Sequence, residues 1–528
     1  MTATFAIEAN DDRFNQVMKR FFEMLPGILA WLTLIFMFLF SWLLPVWVSI
    51  FIILFDIYWV MKTVYLSLHL RATFMEMRRV MKVNWLAKIR EEMPDATAGD
   101  AAHPSLDDIH HLVILPMYDE PYEVVSETFV SLTRVNYDKK KLLVVLALED
   151  KAGDGARATG TKLQHEYGAA FGKFLITHHP AGLPGEIPGK GSNEAWAGAQ
   201  AKREIVDIQT ATYPKGLAPE NVLVSVFDID TQVFPEYFSR LTYVFLKAEN
   251  RTHAIYQPIP LFTNNVYEAP MLARVVAFST TFWQMMQQSR PERLTSFSSQ
   301  SIPLSTLLDI GWWQKDIVSE DSRIFWQGYL RYHSDFRVEP LFYPVSMDVN
   351  VAPTFWGTMK NIYKQQRRWG WGVENIPYML EGFRHDPQIP AGKKRYWTFN
   401  VIEGFHSWAT NSLIIFALGW LPLALGGRHF GHSVLSYNLP HITRDIIWLS
   451  MIGVASSAIL SVMLLPKPPG GLSMKDYSVF ILQWVLMPFT LIIFGAFPGL
   501  EAQTRLMLGG KFRLGFWVTP KGRYEKKS

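Results

Sequence analysis

Val222-Leu-Val-Ser-Val-Phe-Asp-Ile-Asp230 is a mostly apolar run that stops on two carboxylates one residue apart. A β-rich run of this length ending in polar residues reads as a strand. Leu112–Leu115, Leu142–Leu148 and Phe174–Ile176 have the same character, and helix-like stretches separate them. This alternation predicts an α/β fold, Rossmann-like, with a mostly parallel sheet covered by helices. Ligands of such sheets bind beyond the carboxyl ends of the strands, where Asp228 and Asp230 fall. With one residue between them, both carboxylates can approach one point, and two hard oxygen donors suit Mg²⁺ or Mn²⁺ carrying a diphosphate. Asp230 is expected near the surface of a cleft. Alone, an Asp-x-Asp is more often a solvated turn, so its company decides the reading.

That company comes in order along the chain. Glu320-Asp321 follows Gly311-Trp-Trp-Gln-Lys-Asp-Ile-Val-Ser319, and a carboxylate there can act as a general base on a hydroxyl. The plainer alternative is an acidic pair in a first helical turn capped by Ser319. Gln365-Gln-Arg-Arg368-Trp369 is expected on a helix beginning near Pro353. Gln365 and Arg368, three apart, share a face, Arg can neutralise a diphosphate, and Trp offers a flat surface to a sugar ring. The alternative there is an amphipathic interfacial helix with snorkelling basic residues.

Hydrophobic residues make up 49% of the 528 and charged ones 19%, which is too apolar for a soluble enzyme of this length. The absence of Cys excludes disulfides, thiolate-bound zinc and thiol nucleophiles. A net charge of +4 fits basic flanks of membrane spans and gives no reason to expect nucleic acid as a partner. Leu25–Leu44 is uncharged and long enough to cross a bilayer, and it is too long for a signal peptide. Pro45 marks a turn, and Val46–Val60 begins a second span running to about Leu70. The basic cluster from Arg71 to Arg90 puts the chain beyond the second span in the cytoplasm. Phe405–Leu425, Ile446–Leu465 and Val479–Phe497 are each about one bilayer long. Three crossings would leave the basic tail from Arg505 outside, against the charge rule, so one segment is expected to be re-entrant, interfacial or split. The candidates are Phe405–Leu425 and the segment containing Pro488. The expected organisation is a membrane hairpin over 1–70, an amphipathic connector over 71–106 with a polar linker from Pro94 to Ser105, and a catalytic domain over 107–350. Interfacial helices over 351–400, membrane helices over 401–498 and a cytoplasmic tail over 499–528 complete it.

With these motifs in this order, the chain resembles the membrane-integrated family-2 glycosyltransferases, which include the cellulose, chitin and hyaluronan synthases. The resemblance covers residues 107–380 well and the rest more loosely. Ile114-Leu-Pro-Met-Tyr118-Asp-Glu120-Pro is similar to the family's opening strand and nucleotide-holding turn. Gly189-Lys190-Gly-Ser-Asn193 resembles the Lys loop that faces the diphosphate, and Phe516-Trp-Val-Thr519-Pro-Lys521-Gly522 resembles the gating loop of bacterial cellulose synthase. The resemblance implies a GT-A-type cytoplasmic domain inserted between membrane helices. It also implies a nucleotide-diphosphate sugar, a UDP-sugar before others, and a glycan or lipid acceptor at the bilayer of a bacterial inner membrane. By it, Asp228 and Asp230 hold metal and diphosphate, Asp321 is the base, and Trp369 stacks on the acceptor, with Gln365 and Arg368 lining donor and acceptor. Tyr118, Glu120, Glu149, Asp150, Lys190, Thr519 and Lys521 contact the donor, and Phe297-Ser-Ser-Gln300 falls where acceptor contacts are expected.

The chain also departs from the family pattern. Glu149-Asp150 stands where two Asp are usual, and Ser319 replaces a Thr. No acidic residue is matched near Asn350, and no cyclic-dinucleotide sensor domain is expected after residue 528. The leading expectation is an inverting, metal-dependent polysaccharide synthase that passes its product through its own helices. A glycolipid synthase is the alternative, and a non-catalytic relative is disfavoured by the intact Asp228, Asp230 and Asp321 set.

Overall fold

The computed structural model describes residues 2–93, 104–210, 213–467 and 471–519, with side chains from residue 14 onward. The linker Pro94–Ser105 falls outside them except for its last two residues, and Lys521 and Gly522 lie outside as well. The chain forms two compact units, residues 69–361 with 515–528, and residues 1–68 with 362–514.

The first of these is an α/β unit on eight strands: β1 (His110–Met117), β2 (Leu142–Glu149), β3 (Lys173–His179), β4 (Val222–Val226), β5 (Gln232–Val233), β6 (Ala254–Phe262), β7 (Ser301–Pro303) and β8 (Arg337–Met347). They order as β3-β2-β1-β4-β7-β6-β8-β5. β3, β2, β1 and β4 are mutually parallel, β7 reverses between β4 and β6, and β8 runs parallel to β6. Only β7 and β5 oppose the common direction among these strands. The four predicted strands are present, and the alternation failed to reveal the second half of the sheet. β6 and β8 carry internal prolines at Pro258, Pro260, Pro340 and Pro344, which usually argue against a strand. A register shift between Gln257 and Ile259 accommodates them on β6.

Leu112 to Leu115 and Val144 to Ala147 are fully buried, because helices cover both faces of the parallel half. Each such Leu, Ile or Val contributes about 1.5–3 kcal/mol on burial, which makes this half the rigid frame of the unit. Registers of Met117 with Leu148, Ile114 with Val226 and Glu149 with His179 bring the strand ends to one edge.

The second unit is helical. Four helices are long and apolar enough to cross a membrane: Phe14–Leu43, Pro45–Val80, Val434–Leu464 and Met474–Leu508. A fifth candidate, Ala391–Phe416 with Leu418–Leu425, is bent by 49° at its break, within the segment expected to be split or re-entrant. Polar contacts tie these helices together: Lys62 pairs with Glu403 at 3.0 Å, Thr33 meets His406 at 2.9 Å, and Trp31 donates to Thr504 at 2.9 Å.

Candidate active site

The carboxyl edge of the sheet gathers side chains from several separate stretches of the α/β unit. Just past β4, Asp228 is held on both oxygens. Lys190 Nζ lies 2.8 Å from Oδ1, and Ser298 Oγ donates to Oδ2 at 2.8 Å. Ser298 belongs to the stretch expected to touch acceptor, and here its hydroxyl is bonded to Asp228. Its neighbour Ser299 has a left-handed backbone (φ 67°), a strained conformation of the kind that collects at functional sites.

Asp230 is not at a cleft surface as expected: it is 1% exposed. Its Oδ2 accepts the Asp348 N–H at 3.1 Å, and Asn264 donates both to the Asp230 carbonyl at 2.9 Å and to Asp348 Oδ1 at 3.0 Å. Asp348 follows β8 and Asn264 follows β6, two strands that share β4's direction, so three strand ends converge here. Asp348 is therefore an acidic group near Asn350 that sequence reading passed over. Its signal was the same as Asp228's, a carboxylate ending an apolar run.

Lys190 opens the helix Lys190–Ala201 and does not lie in a loop. One turn on, Glu194 Oε1 is 3.5 Å from its ammonium. The Lys190 side chain is 14% exposed and Glu194's 2%. Burial disfavours the ammonium, yet Asp228, Glu194, Glu320 and Asp321 outweigh it and push the Lys190 pKa well above the ordinary lysine value. Burial also pushes Glu194 well above the carboxylate range, against the pull of Lys190 and with the help of the other carboxylates.

The Lys190 helix sits directly on the segment that carries Glu320 and Asp321. A Cβ at Gly191 would come within 2.8 Å of Glu320 Cβ, and one at Gly198 within 2.4 Å of the Trp312 ring. Seven residues apart, the two glycines share one helix face and permit this approach. Lys315 adds a clamp, pairing with Glu186 at 2.9 Å while its carbonyl accepts the Ile187 N–H at 2.8 Å. Glu320 and Asp321 begin the helix Glu320–Arg331, and Ser319 stands at its N-cap without a side-chain capping bond. Glu320 is buried and Asp321 is partly exposed, anchored through its carbonyl by Ser296 Oγ at 2.6 Å.

Past β1, the Tyr118 N–H donates to Glu120 at 2.8 Å and closes the turn. Past β2, Glu149 lines a shallow pocket with Lys151, His179, Glu186 and Pro188. Asp150 turns to Arg157 at 3.1 Å, so Glu149 is the member of the pair that faces the pocket. The returning tail also reaches this edge. A Cβ at Gly189 would come within 2.5 Å of the Phe516 ring. Thr519 is buried, and its Oγ1 has no hydrogen-bond partner among the described residues. Gly189→Ala is expected to push the tail off its seat. Overpacking of this kind costs about 1–3 kcal/mol, roughly tenfold in exposure. With Thr519→Cys as the chain's single thiol, its labelling rate should rise about tenfold on adding Gly189→Ala; an unchanged rate would show the contact to be inconsequential.

Gln365, Arg368 and Trp369 stand on the last turns of Phe355–Gly370, in the part of that helix that belongs to the helical unit. The predicted one-face placement of Gln365 and Arg368 holds on this helix. Arg367 and Tyr363 tie it to Glu501 at 2.6 and 2.8 Å, and Gly370 packs on Gly499 and Ala502.

A metal-binding reading can be tested on the donor set. Asp228 and Asp230 are hard oxygen donors at one strand end, with Asp348 alongside, and this set fits Mg²⁺ or Mn²⁺ better than a softer ion. Among the described residues no group of three or more His, Cys, Asp or Glu is arranged to hold a metal by itself.

The profile of glycosyl transferase family group 2 matches residues 223–497, just over half of the chain. The chain belongs to this family and is a glycosyltransferase. No curated protein matches it. Among solved structures, a mannosyltransferase from Pyrobaculum calidifontis in complex with GDP-Man and Mn²⁺ is similar, with 12% identity, 75% of this chain and 99% of that one covered, and a TM-score of 0.39. The 1–349 portion of S. aureus TarS with UDP-GlcNAc shares 12% identity over 72% of this chain and 91% of its own, with a TM-score of 0.34. Likeness at this distance bears on neither substrate nor mechanism.

Proposed function

We propose that the chain is an inverting, metal-dependent polysaccharide synthase of the cellulose synthase-like kind, drawing on a nucleotide-diphosphate sugar and extending a β-linked glycan at a membrane. The observation that carries this reading is the convergence of Asp228, Asp230, Lys190 and the Glu320-Asp321 segment at one sheet edge. Lys190 and the start of its helix offer positive charge to a diphosphate. Asp321 accepts the proton of an acceptor hydroxyl as that oxygen bonds the anomeric carbon and the bond to the diphosphate breaks, inverting the carbon. A bound Mg²⁺ or Mn²⁺ would offset charge on the departing nucleotide. Gln365, Arg368 and Trp369 would serve the acceptor side, and Thr519 and Lys521 would close over donor.

Two features favour a polymer product. The helical unit buries Asp56, Asn411, Gln483 and Gln503, and polar groups kept inside a membrane unit suit the passage of a polar solute. The tail that resembles a gating loop belongs to the α/β unit and meets Gly189 there.

That contact also constrains topology. The chain leaves the α/β unit at Asn361 and returns to it at Gly515, which favours an even number of crossings between them. Of the three candidates, we propose the bent pair Ala391–Leu425 as the re-entrant one, because its helices meet at 49°. With Gly431→Cys or Ser528→Cys as the only thiol, both should resist an impermeant reagent added outside intact cells; labelling of either refutes this topology.

The function itself is tested by incubating purified membranes with a panel of radiolabelled nucleotide sugars. Label in insoluble polymer supports the reading, label extracted by organic solvent supports the glycolipid alternative, and no incorporation from any sugar defeats both.

A further inference from the structure

We propose that Lys190 is a built-in latch on Asp228, holding that carboxylate until a diphosphate offers the ammonium another anion; the idea rests on the donor-site reading above. The Lys190–Asp228 pair is 2.8 Å long and only partly open to solvent, at 14% and 27% side-chain exposure. The second Asp228 oxygen is occupied by the Ser298 hydroxyl. A divalent cation on Asp228 would sit beside the Lys190 ammonium, and two cations on one carboxylate repel each other strongly in a partly buried site.

The ammonium can turn without leaving. Glu194 Oε1 lies 3.5 Å from it, one helical turn away. The Gly191 and Gly198 contacts fix the helix, so the motion falls to the flexible lysine stem. A diphosphate would both draw Lys190 off and supply oxygens to the coordination shell. Lys190 therefore enforces an order: Asp228 becomes available to metal only with the nucleotide.

The test measures Mn²⁺ binding to the purified full-length protein from the free-ion electron paramagnetic resonance signal, with and without UDP. Without nucleotide, wild type should bind Mn²⁺ weakly, and Lys190→Met at least about tenfold more tightly, the factor that releasing one charge-assisted contact yields. Adding Asp228→Asn to Lys190→Met should abolish that gain. Lys190→Gln carries the same expectation should the methionine variant fail to fold, and Lys190→Arg should keep the latch. Equal nucleotide-free affinity in wild type and the neutral variants overturns the latch. A wild type whose Mn²⁺ binding no nucleotide improves overturns the metal-dependent donor reading, a separate result from the nucleotide-free comparison.

Discussion

Asp321→Asn is expected to slow sugar transfer by about 10²- to 10⁴-fold while leaving donor affinity within a few-fold of wild type. The asparagine keeps the shape of the side chain but cannot take a proton from the attacking hydroxyl. A backbone anchor survives the change, since Ser296 holds the Asp321 carbonyl. Donor affinity should survive as well, since the proposed diphosphate contacts belong to Lys190 and the Asp228 region. The measurement is a single-turnover rate beside a direct nucleotide-binding titration. Collapse of nucleotide affinity together with rate would make Asp321 a donor ligand and leave the base unassigned. Glu320→Gln is the useful contrast. Glu320 is buried against Gly191, so its substitution should act through stability and the seating of the Lys190 helix.

The parts of the site that could be read from the sequence were those whose chemistry sits at the end of a regular apolar run. Val222–Phe227 announced both a strand and the place of Asp228 and Asp230. The Tyr118 turn and the Glu149-Asp150 pair were legible for the same reason. Asp348 ends β8 in the same manner, but prolines hid that strand and with it the third carboxylate of the edge. Glu194 was missed because an i,i+4 Lys–Glu pair on a helix is ordinarily a solvated surface feature; only the fold makes it buried. The same holds for Gly191 and Gly198. Their spacing of seven means little until Glu320 and Trp312 are found against them. The burial of Asp230 was misjudged on similar grounds, since a residue after a strand is exposed only if no other strand end covers it. Here β6 and β8 deliver Asn264 and Asp348 onto it. The bend in Ala391–Leu425 was foreshadowed by the charge of the tail, which required one C-terminal segment to be irregular.

Asp230→Asn should remove nearly all activity, on the order of 10³-fold, as the loss of several kcal/mol of metal-derived stabilisation at the departing diphosphate implies. Depletion of divalent ions by EDTA should have the same effect on wild type and add nothing further in the variant. Burial raises the question of whether such a loss would be mere unfolding, and the hydrogen bonding answers it. Asp230 accepts the Asp348 N–H through one side-chain oxygen, and an asparagine carbonyl can accept the same bond. The substitution removes the charge and keeps that bond. Asp230→Ala, by contrast, strands that N–H and should cost about 1–3 kcal/mol of stability. The expected pattern is therefore split: a thermal midpoint near wild type for Asp230→Asn, a lowered one for Asp230→Ala, and activity lost in both. Activity of Asp230→Asn near wild type, or full turnover of wild type in EDTA, would remove the metal from the proposed mechanism and leave Lys190 as the main charge opposing the diphosphate.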